Sequence, residues 1–86
     1  MKLGRLEEAI ASCNKALELK PDDSAALYNK ACCYAKHNNI DLAIENLQQA
    51  IKLNPEEYRE MVKTDTDFDR IRGDKRFKAL IQGGSA

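Results

Sequence analysis

Residues 24–57 read SAALYNKACCYAKHNNIDLAIENLQQAIKLNPEE, and this stretch decides the fold. In its first half, Leu27, Ala31 and Tyr34 recur at the three- and four-residue spacing of one helix face. Its second half repeats that spacing over a longer run of small and apolar residues: Ile40, Ala43, Ile44, Leu47, Ala50 and Ile51. The stretch therefore predicts two amphipathic helices in succession.

Polar residues at the ends of the first of these helices predict where the chain turns. The run Asp22-Asp23-Ser24 supplies a cap for the start of the helix, because these side chains accept hydrogen bonds from its free N–H groups. Asn38-Asn39 predicts a tight turn, because asparagine tolerates left-handed backbone and caps the helix that follows. The two helices are therefore expected to be antiparallel.

The same pattern occurs a second time, 34 residues earlier. Seven residue pairs match at this offset, and all of them are small, apolar or proline. The pairs are Leu6 with Ile40, Ala9 with Ala43, Ile10 with Ile44, Ala16 with Ala50, Leu17 with Ile51, Leu19 with Leu53, and Pro21 with Pro55. Residues 7–21 and 41–55 are therefore two copies of one unit.

The unit resembles the tetratricopeptide repeat, a helix-turn-helix of 34 residues. The positions that match the family pattern in residues 24–57 are Leu27, Ala31, Tyr34, Ala43, Leu47, Ala50 and the closing Pro55. Lys30 departs from the leucine often found at its position, which does not upset the match. The resemblance covers about residues 4–63 and implies an all-α, right-handed solenoid of antiparallel helices.

The chain is expected to form a single domain over residues 1–86. Its parts are the second helix of a truncated repeat (4–23), a complete repeat (24–57), a partial third repeat with a capping helix (58–82), and a flexible tail (83–86). Residues 67–81 resemble a tail that often follows bacterial tetratricopeptide arrays, and Asp74 predicts the start of its helix. Four apolar residues are expected to close the open end of the stack: Phe68, Ile71, Phe77 and Leu80.

Composition and charge exclude several classes of partner. Lysine plus arginine and aspartate plus glutamate both number 14, so no net charge attracts nucleic acid or an acidic membrane. No run approaches the roughly 20 apolar residues of a transmembrane helix, and the first residues lack the apolar core of a signal peptide. The odd number of cysteines, Cys13, Cys32 and Cys33, favours reduced thiols. We therefore expect a cytoplasmic protein.

Two groups of residues superficially resemble metal-binding sites, but neither has the full set of ligands that such a site needs. Cys33 and His37 lie four residues apart, but a structural zinc site needs about four ligands and the chain has one histidine. Residues 65–69 begin like a calcium loop, yet Arg70 and Arg76 stand where that loop requires glycine and glutamate. The aspartates are expected to cap turns and to pair with the arginines nearby: Arg70, Arg72 and Arg76. The sequence predicts no cofactor and no metal.

The resemblance implies a protein–protein interaction module rather than an enzyme, and no catalytic constellation is visible. In this family the first helix of each repeat lines a concave groove that holds extended peptides or partner helices. The corresponding positions here are Tyr28, Asn29, Cys32, Lys36, Arg59 and Lys63. Some members clamp the terminal carboxylate of a peptide, and Asn29, Arg59 and Lys63 match three of the clamp positions. The clamp residues of the first repeat's leading helix are absent.

A second hypothesis is a structural element that homodimerises through its first helix. The first residue falls within what would be the leading helix of the first repeat, so the helix after it lacks a partner on one side. Its apolar stripe is expected to lie uncovered: Leu6, Ile10, Cys13 and Leu17. Either the chain is the C-terminal piece of a longer array, or this stripe pairs with a second copy.

Overall fold

A computed structural model describes residues 2–82 and the side chains of residues 5–82. Within this range the chain forms five α-helices and one 3-10 helix, and no β-strand. They are α1 (Lys2–Leu19), α2 (Ser24–Lys36), α3 (Ile40–Leu53), α4 (Pro55–Thr64), the 3-10 helix (Thr66–Ile71) and α5 (Lys75–Ile81). The predicted flexible tail, residues 83–86, lies outside the described residues.

The predicted turns are confirmed in atomic detail. Asp23 caps α2, where its carboxylate accepts a hydrogen bond from the backbone N–H of Ala26 at 3.2 Å. After α2, Asn38 takes a left-handed backbone conformation with φ of 61°. Asn39 then caps α3 by accepting from the backbone N–H of Leu42. These two asparagines reverse the chain, so α2 and α3 pack as an antiparallel pair.

Small residues bring α2 and α3 close together at the centre of the core. The alanines of the repeat pattern, Ala31, Ala43 and Ala50, are completely buried between these helices and their neighbours, and so is Ala35. Leu47 is also completely buried among them. Because an alanine side chain is only a methyl group, two helices that meet through alanines can approach closely and still exclude water. The repeat positions therefore act as packing positions.

The segment after α4 completes the core. Phe68, Ile71 and Phe77 are at most 1% exposed, and Leu80 packs against them. Asp74 caps α5 by accepting from the backbone N–H of Arg76, as the sequence predicted. The 3-10 helix packs on α2, and α5 contacts both α3 and α4. The C-terminal segment is thus the predicted cap of the solenoid.

The aspartates of residues 65–69 act as a turn cap and as partners in ion pairs. Asp65 caps the 3-10 helix by accepting from the backbone N–H of Asp67 at 3.0 Å. Asp69 forms an ion pair with Arg72 at 2.8 Å. The interpretation of this run as turn caps and ion pairs is therefore confirmed for these residues. No helix among residues 2–82 has the length and apolar character needed to cross a membrane.

Candidate peptide-binding groove

An open groove of about 570 Å³ lies between α1, α2, the last turn of α4 and the segment that follows α4. The lining residues from α1 are Ala9, Ser12 and Cys13, and those from α2 are Tyr28, Asn29, Cys32, Cys33 and Lys36. The far side is formed by Met61, Asp65 and Asp67. Four of the six predicted peptide-binding residues therefore border one cavity, and they all come from α2.

The floor of the groove is a buried hydrogen-bonded cluster. Tyr28 is 4% exposed, and its hydroxyl donates to the carboxylate of Asp65 at 2.7 Å. Its ring stacks on Tyr58, with 5.1 Å between the centroids. The thiol of Cys32, which is also buried, lies 3.8 Å from the same carboxylate. Tyr28 and Cys32 thus form the base of the groove, whereas Asn29 and Lys36 are exposed at its rim.

The thiols in this groove are held in their uncharged form. Burial raises the pKa of Cys32 far above its ordinary value of 9.0, and the negative charges of Asp65 and Asp67 raise it further. Burial also raises the pKa of Cys13 and that of Cys33. Because the thiolate is the reactive form of cysteine, all three are weak nucleophiles at neutral pH. The charges in the groove therefore come from Asp65, Asp67 and Lys36.

Among the described residues, one cluster of side chains of the kinds that bind metals was not predicted from the sequence. Cys32, Asp65 and Asp67 each place one potential ligand atom within 4.8 Å of the others. All three residues already have partners, since the Cys32 thiol contacts Asp65 and the Asp67 carboxylate lies 3.6 Å from the ammonium of Lys36. The cluster is therefore organised by hydrogen bonds and an ion pair.

Arg59 and Lys63 do not line the groove. The guanidinium of Arg59 donates to the backbone carbonyl of Leu80 at 3.1 Å, which ties α4 to α5. Lys63 forms an ion pair with Glu60 on its own helix at 3.0 Å. Of the three predicted clamp residues, the structure brings Asn29 alone to the groove. The packing of α5 against α4 gives Arg59 this contact in place of the predicted one.

The four apolar residues predicted to lie uncovered on α1 do not form one solvent-exposed surface. Leu17 packs against the hydrophobic core, so its expected exposure is wrong. Cys13 borders the groove that α1 forms with α2. Leu6 and Ile10 are half-buried. The helix periodicity was correct, but it could not distinguish the side of α1 that meets α2 from the side that faces away.

Two family models match the chain. One, described as "Tetratricopeptide repeat", matches residues 24–57, and the other, described as "TPR repeat", matches residues 1–38. Together they span residues 1–57. The chain belongs to the tetratricopeptide repeat family. The 34-residue match coincides with the complete repeat formed by α2 and α3.

Several curated proteins are similar to this tetratricopeptide repeat chain. A chloroplastic protein from Arabidopsis thaliana is 33% identical over 84 residues, which is 94% of this chain and 25% of the relative. "Protein PHOX1" from the same plant is 35% identical, over 84% of this chain and 9% of its own length. "Peptidyl-prolyl cis-trans isomerase FKBP4" from Mus musculus is 36% identical over 64% of this chain and 12% of its own length. No solved structure gives a significant match.

These relatives are much longer than the tetratricopeptide repeat chain. The chain spans a quarter or less of each relative's length, so their names describe much larger proteins. The resemblance of residues 67–81 to a tail that follows bacterial arrays stays a prediction. The repeats and these relatives indicate a non-catalytic protein–protein interaction module. The cytoplasmic location expected from the sequence stays a prediction.

Proposed function

We propose that this chain binds an extended peptide segment of a partner protein in the groove between α1 and α2. The observation that supports this most is the cavity of about 570 Å³, which side chains of α1, α2, α4 and the segment after α4 border together. Its base is rigid, because the ring of Tyr28 is stacked and its hydroxyl is hydrogen-bonded. A pre-formed concave surface loses little conformational entropy when it binds a ligand.

Filling the groove should abolish peptide binding without unfolding the chain. Ser12 is an exposed residue on the α1 side of the cavity, so a Ser12→Trp variant places an indole where the peptide would lie. We expect affinity for a groove-binding peptide to fall by more than about tenfold, since a complementary contact surface is lost. The affinity is measured by fluorescence anisotropy with a labelled peptide selected on the wild-type domain.

A matched control separates groove blockage from a general effect of tryptophan. Glu45 is exposed on α3 and does not border the groove, so Glu45→Trp should bind the peptide as the wild type does. Circular dichroism should give the same helix content and melting temperature for both variants. Full binding by a folded Ser12→Trp variant would show that the peptide site lies elsewhere.

We propose self-association through α1 as a second candidate, and the internal repeat favours it. Three positions of α3 that have counterparts in α1 at the 34-residue offset are completely buried, namely Ala43, Leu47 and Ala50. Their counterparts in α1 are only half-buried: Ala9, Cys13 and Ala16. Leu19 is 84% exposed, twice the 42% of its counterpart Leu53. Helix α3 lies between α2 and α4, whereas α1 packs mainly on α2. Apolar surface of α1 therefore remains uncovered. In a two-fold dimer, the α1 helix of a second copy would cover this surface.

Charges on this surface should dissociate such a dimer. We expect the wild-type chain to show twice its mass of 9.7 kDa in light scattering during size exclusion. A Leu6→Glu/Ile10→Glu double variant should show the monomer mass, because two buried carboxylates would lack partners at the interface. Leu53→Glu, on α3, is the control and should remain dimeric. A wild-type monomer at all concentrations, or a dimer of the double variant, would refute this candidate.

A further inference from the structure

We infer that the groove recognises a basic side chain of its peptide, lysine or arginine, and does not clamp a terminal carboxylate. This inference rests on the proposed function and adds the chemistry of the ligand. The reason is the charge that the fold places in the cavity. Its bordering residues include two carboxylates, Asp65 and Asp67, and one ammonium group, that of Lys36. The groove therefore carries a net negative charge.

Neutral groups hold the carboxylate of Asp65 in position and leave its charge uncompensated. The carboxylate accepts from the Tyr28 hydroxyl at 2.7 Å and from the Cys32 thiol at 3.8 Å. Its other oxygen accepts from the backbone N–H of Asp67 at 3.0 Å. Among the described residues, no cation forms an ion pair with the Asp65 carboxylate, and the guanidinium of Arg72 donates to the backbone carbonyl of Asp65 instead. A fixed, half-buried carboxylate without a counter-ion attracts a cation from the ligand.

The lysine that borders the groove is held loosely. The ammonium of Lys36 lies 3.6 Å from the Asp67 carboxylate, and the Lys36 side chain is 53% exposed. An exposed ion pair of this length contributes little free energy, so Lys36 can swing into solvent when a ligand cation approaches. Asp67, whose side chain is 32% exposed, then faces the ligand beside Asp65. The same pair of carboxylates would repel a peptide's terminal carboxylate.

The shape and polarity of the cavity suit a long cationic side chain. Met61 is 42% exposed on the wall next to the carboxylates, and Ala9 lines the opposite wall. Lysine and arginine carry an apolar stem below a charged head, and the stem packs on apolar surface while the head reaches an acid. A small cation without a stem would leave the methionine wall uncovered. Met61 thus complements the stem, and Asp65 and Asp67 complement the head.

The test begins with two display libraries of random twelve-residue peptides, selected on the wild-type domain. In one library the peptides are fused at both ends, and in the other they end in a free carboxylate. We expect lysine or arginine to be enriched at one fixed position in both libraries. Binding of a selected peptide should weaken about fivefold to tenfold when norleucine replaces that lysine, because one charge-assisted contact is lost. Nuclear magnetic resonance shifts locate the peptide on the domain.

Variants of the domain assign the effect to the two carboxylates. Asp67→Asn should weaken the lysine peptide about fivefold to tenfold and leave the norleucine peptide unchanged. Asp65→Asn should do the same, with its folding checked by circular dichroism because Asp65 caps the 3-10 helix. Asp22→Asn, an equal charge change at an exposed residue outside the groove, should have no effect. Raising the salt concentration should weaken the lysine peptide more than the norleucine peptide.

The outcomes separate this inference from the proposed function. Peptides that shift groove resonances without a basic preference, or that require a free carboxylate, would overturn the inference and leave the groove as the peptide site. Equal affinity of the lysine peptide for the wild type and a folded Asp67→Asn variant would also overturn it. Selections in which no peptide shifts groove resonances would overturn both. An enriched lysine or arginine whose contribution disappears in Asp67→Asn supports it.

Discussion

Replacing Phe68 with alanine is expected to lower the free energy of unfolding by about 3–5 kcal/mol. The Phe68 side chain is completely buried, and its ring lies 5.6 Å from that of Tyr28 and 5.7 Å from that of Phe77. It therefore joins the repeat core to the C-terminal cap. Removing the ring loses its burial and leaves a cavity, because the helices around it cannot fully collapse into the space.

This loss is large relative to the stability of so small a domain. A chain of 86 residues is expected to have an unfolding free energy of about 4–13 kcal/mol. Urea unfolding, followed by circular dichroism, measures the change. Met61→Ala is the control, because Met61 is 42% exposed and should cost less than about 1 kcal/mol.

A more conservative substitution tests the mechanism. Phe68→Leu keeps most of the apolar volume, so its cost should fall clearly below that of Phe68→Ala. If Phe68→Ala unfolded at the same urea concentration as the wild type, the C-terminal segment would not be part of the cooperative core. The cap would then be an independent appendage on the repeat.

The fold could be predicted from the sequence because its determinants are local and repeated. The 34-residue offset and the helical spacing of small residues place Ala31 and Ala43 in the core, and both are completely buried. The turn at Asn38 follows from the chemistry of one residue type, and its φ of 61° agrees. Each of these signals is read from the linear sequence, either within one repeat or by comparing two copies of it, so no knowledge of tertiary contacts was needed.

The groove was predicted in part, because its far side comes from a distant segment. Family positions on α2 pointed to Asn29 and Lys36, and both residues border the cavity. Asp65 lies 37 residues from Tyr28 and meets it only because the 3-10 helix folds back onto α2. No periodicity links residues at such a separation across an irregular segment. The acidic side of the groove, and the burial of Tyr28 beneath it, therefore required the tertiary structure.

Arg72 is expected to be the most important charged residue for stability, and the sequence predicted its pairing with an aspartate but not its contacts with backbone carbonyls. Its guanidinium donates to the backbone carbonyl of Val62 at 2.9 Å and to that of Asp65, and it pairs with Asp69. Val62 lies in the last turn of α4, where backbone carbonyls have no partner within the helix. The guanidinium also lies 5.8 Å from the centroid of the Phe77 ring. Arg72 thus satisfies the end of α4 from within the cap.

Arg72→Ala should therefore lower the free energy of unfolding by about 2–3 kcal/mol, because two partly buried carbonyls lose a charged donor. Arg72→Lys should recover only part of this loss, since a lysine ammonium cannot reach both carbonyls and Asp69 in the same planar arrangement. Arg70→Ala removes an equal charge from an exposed residue and should change the unfolding free energy by less than about 0.5 kcal/mol. Urea unfolding compares the three variants. If Arg70→Ala and Arg72→Ala cost the same, net charge rather than the carbonyl contacts would explain the effect.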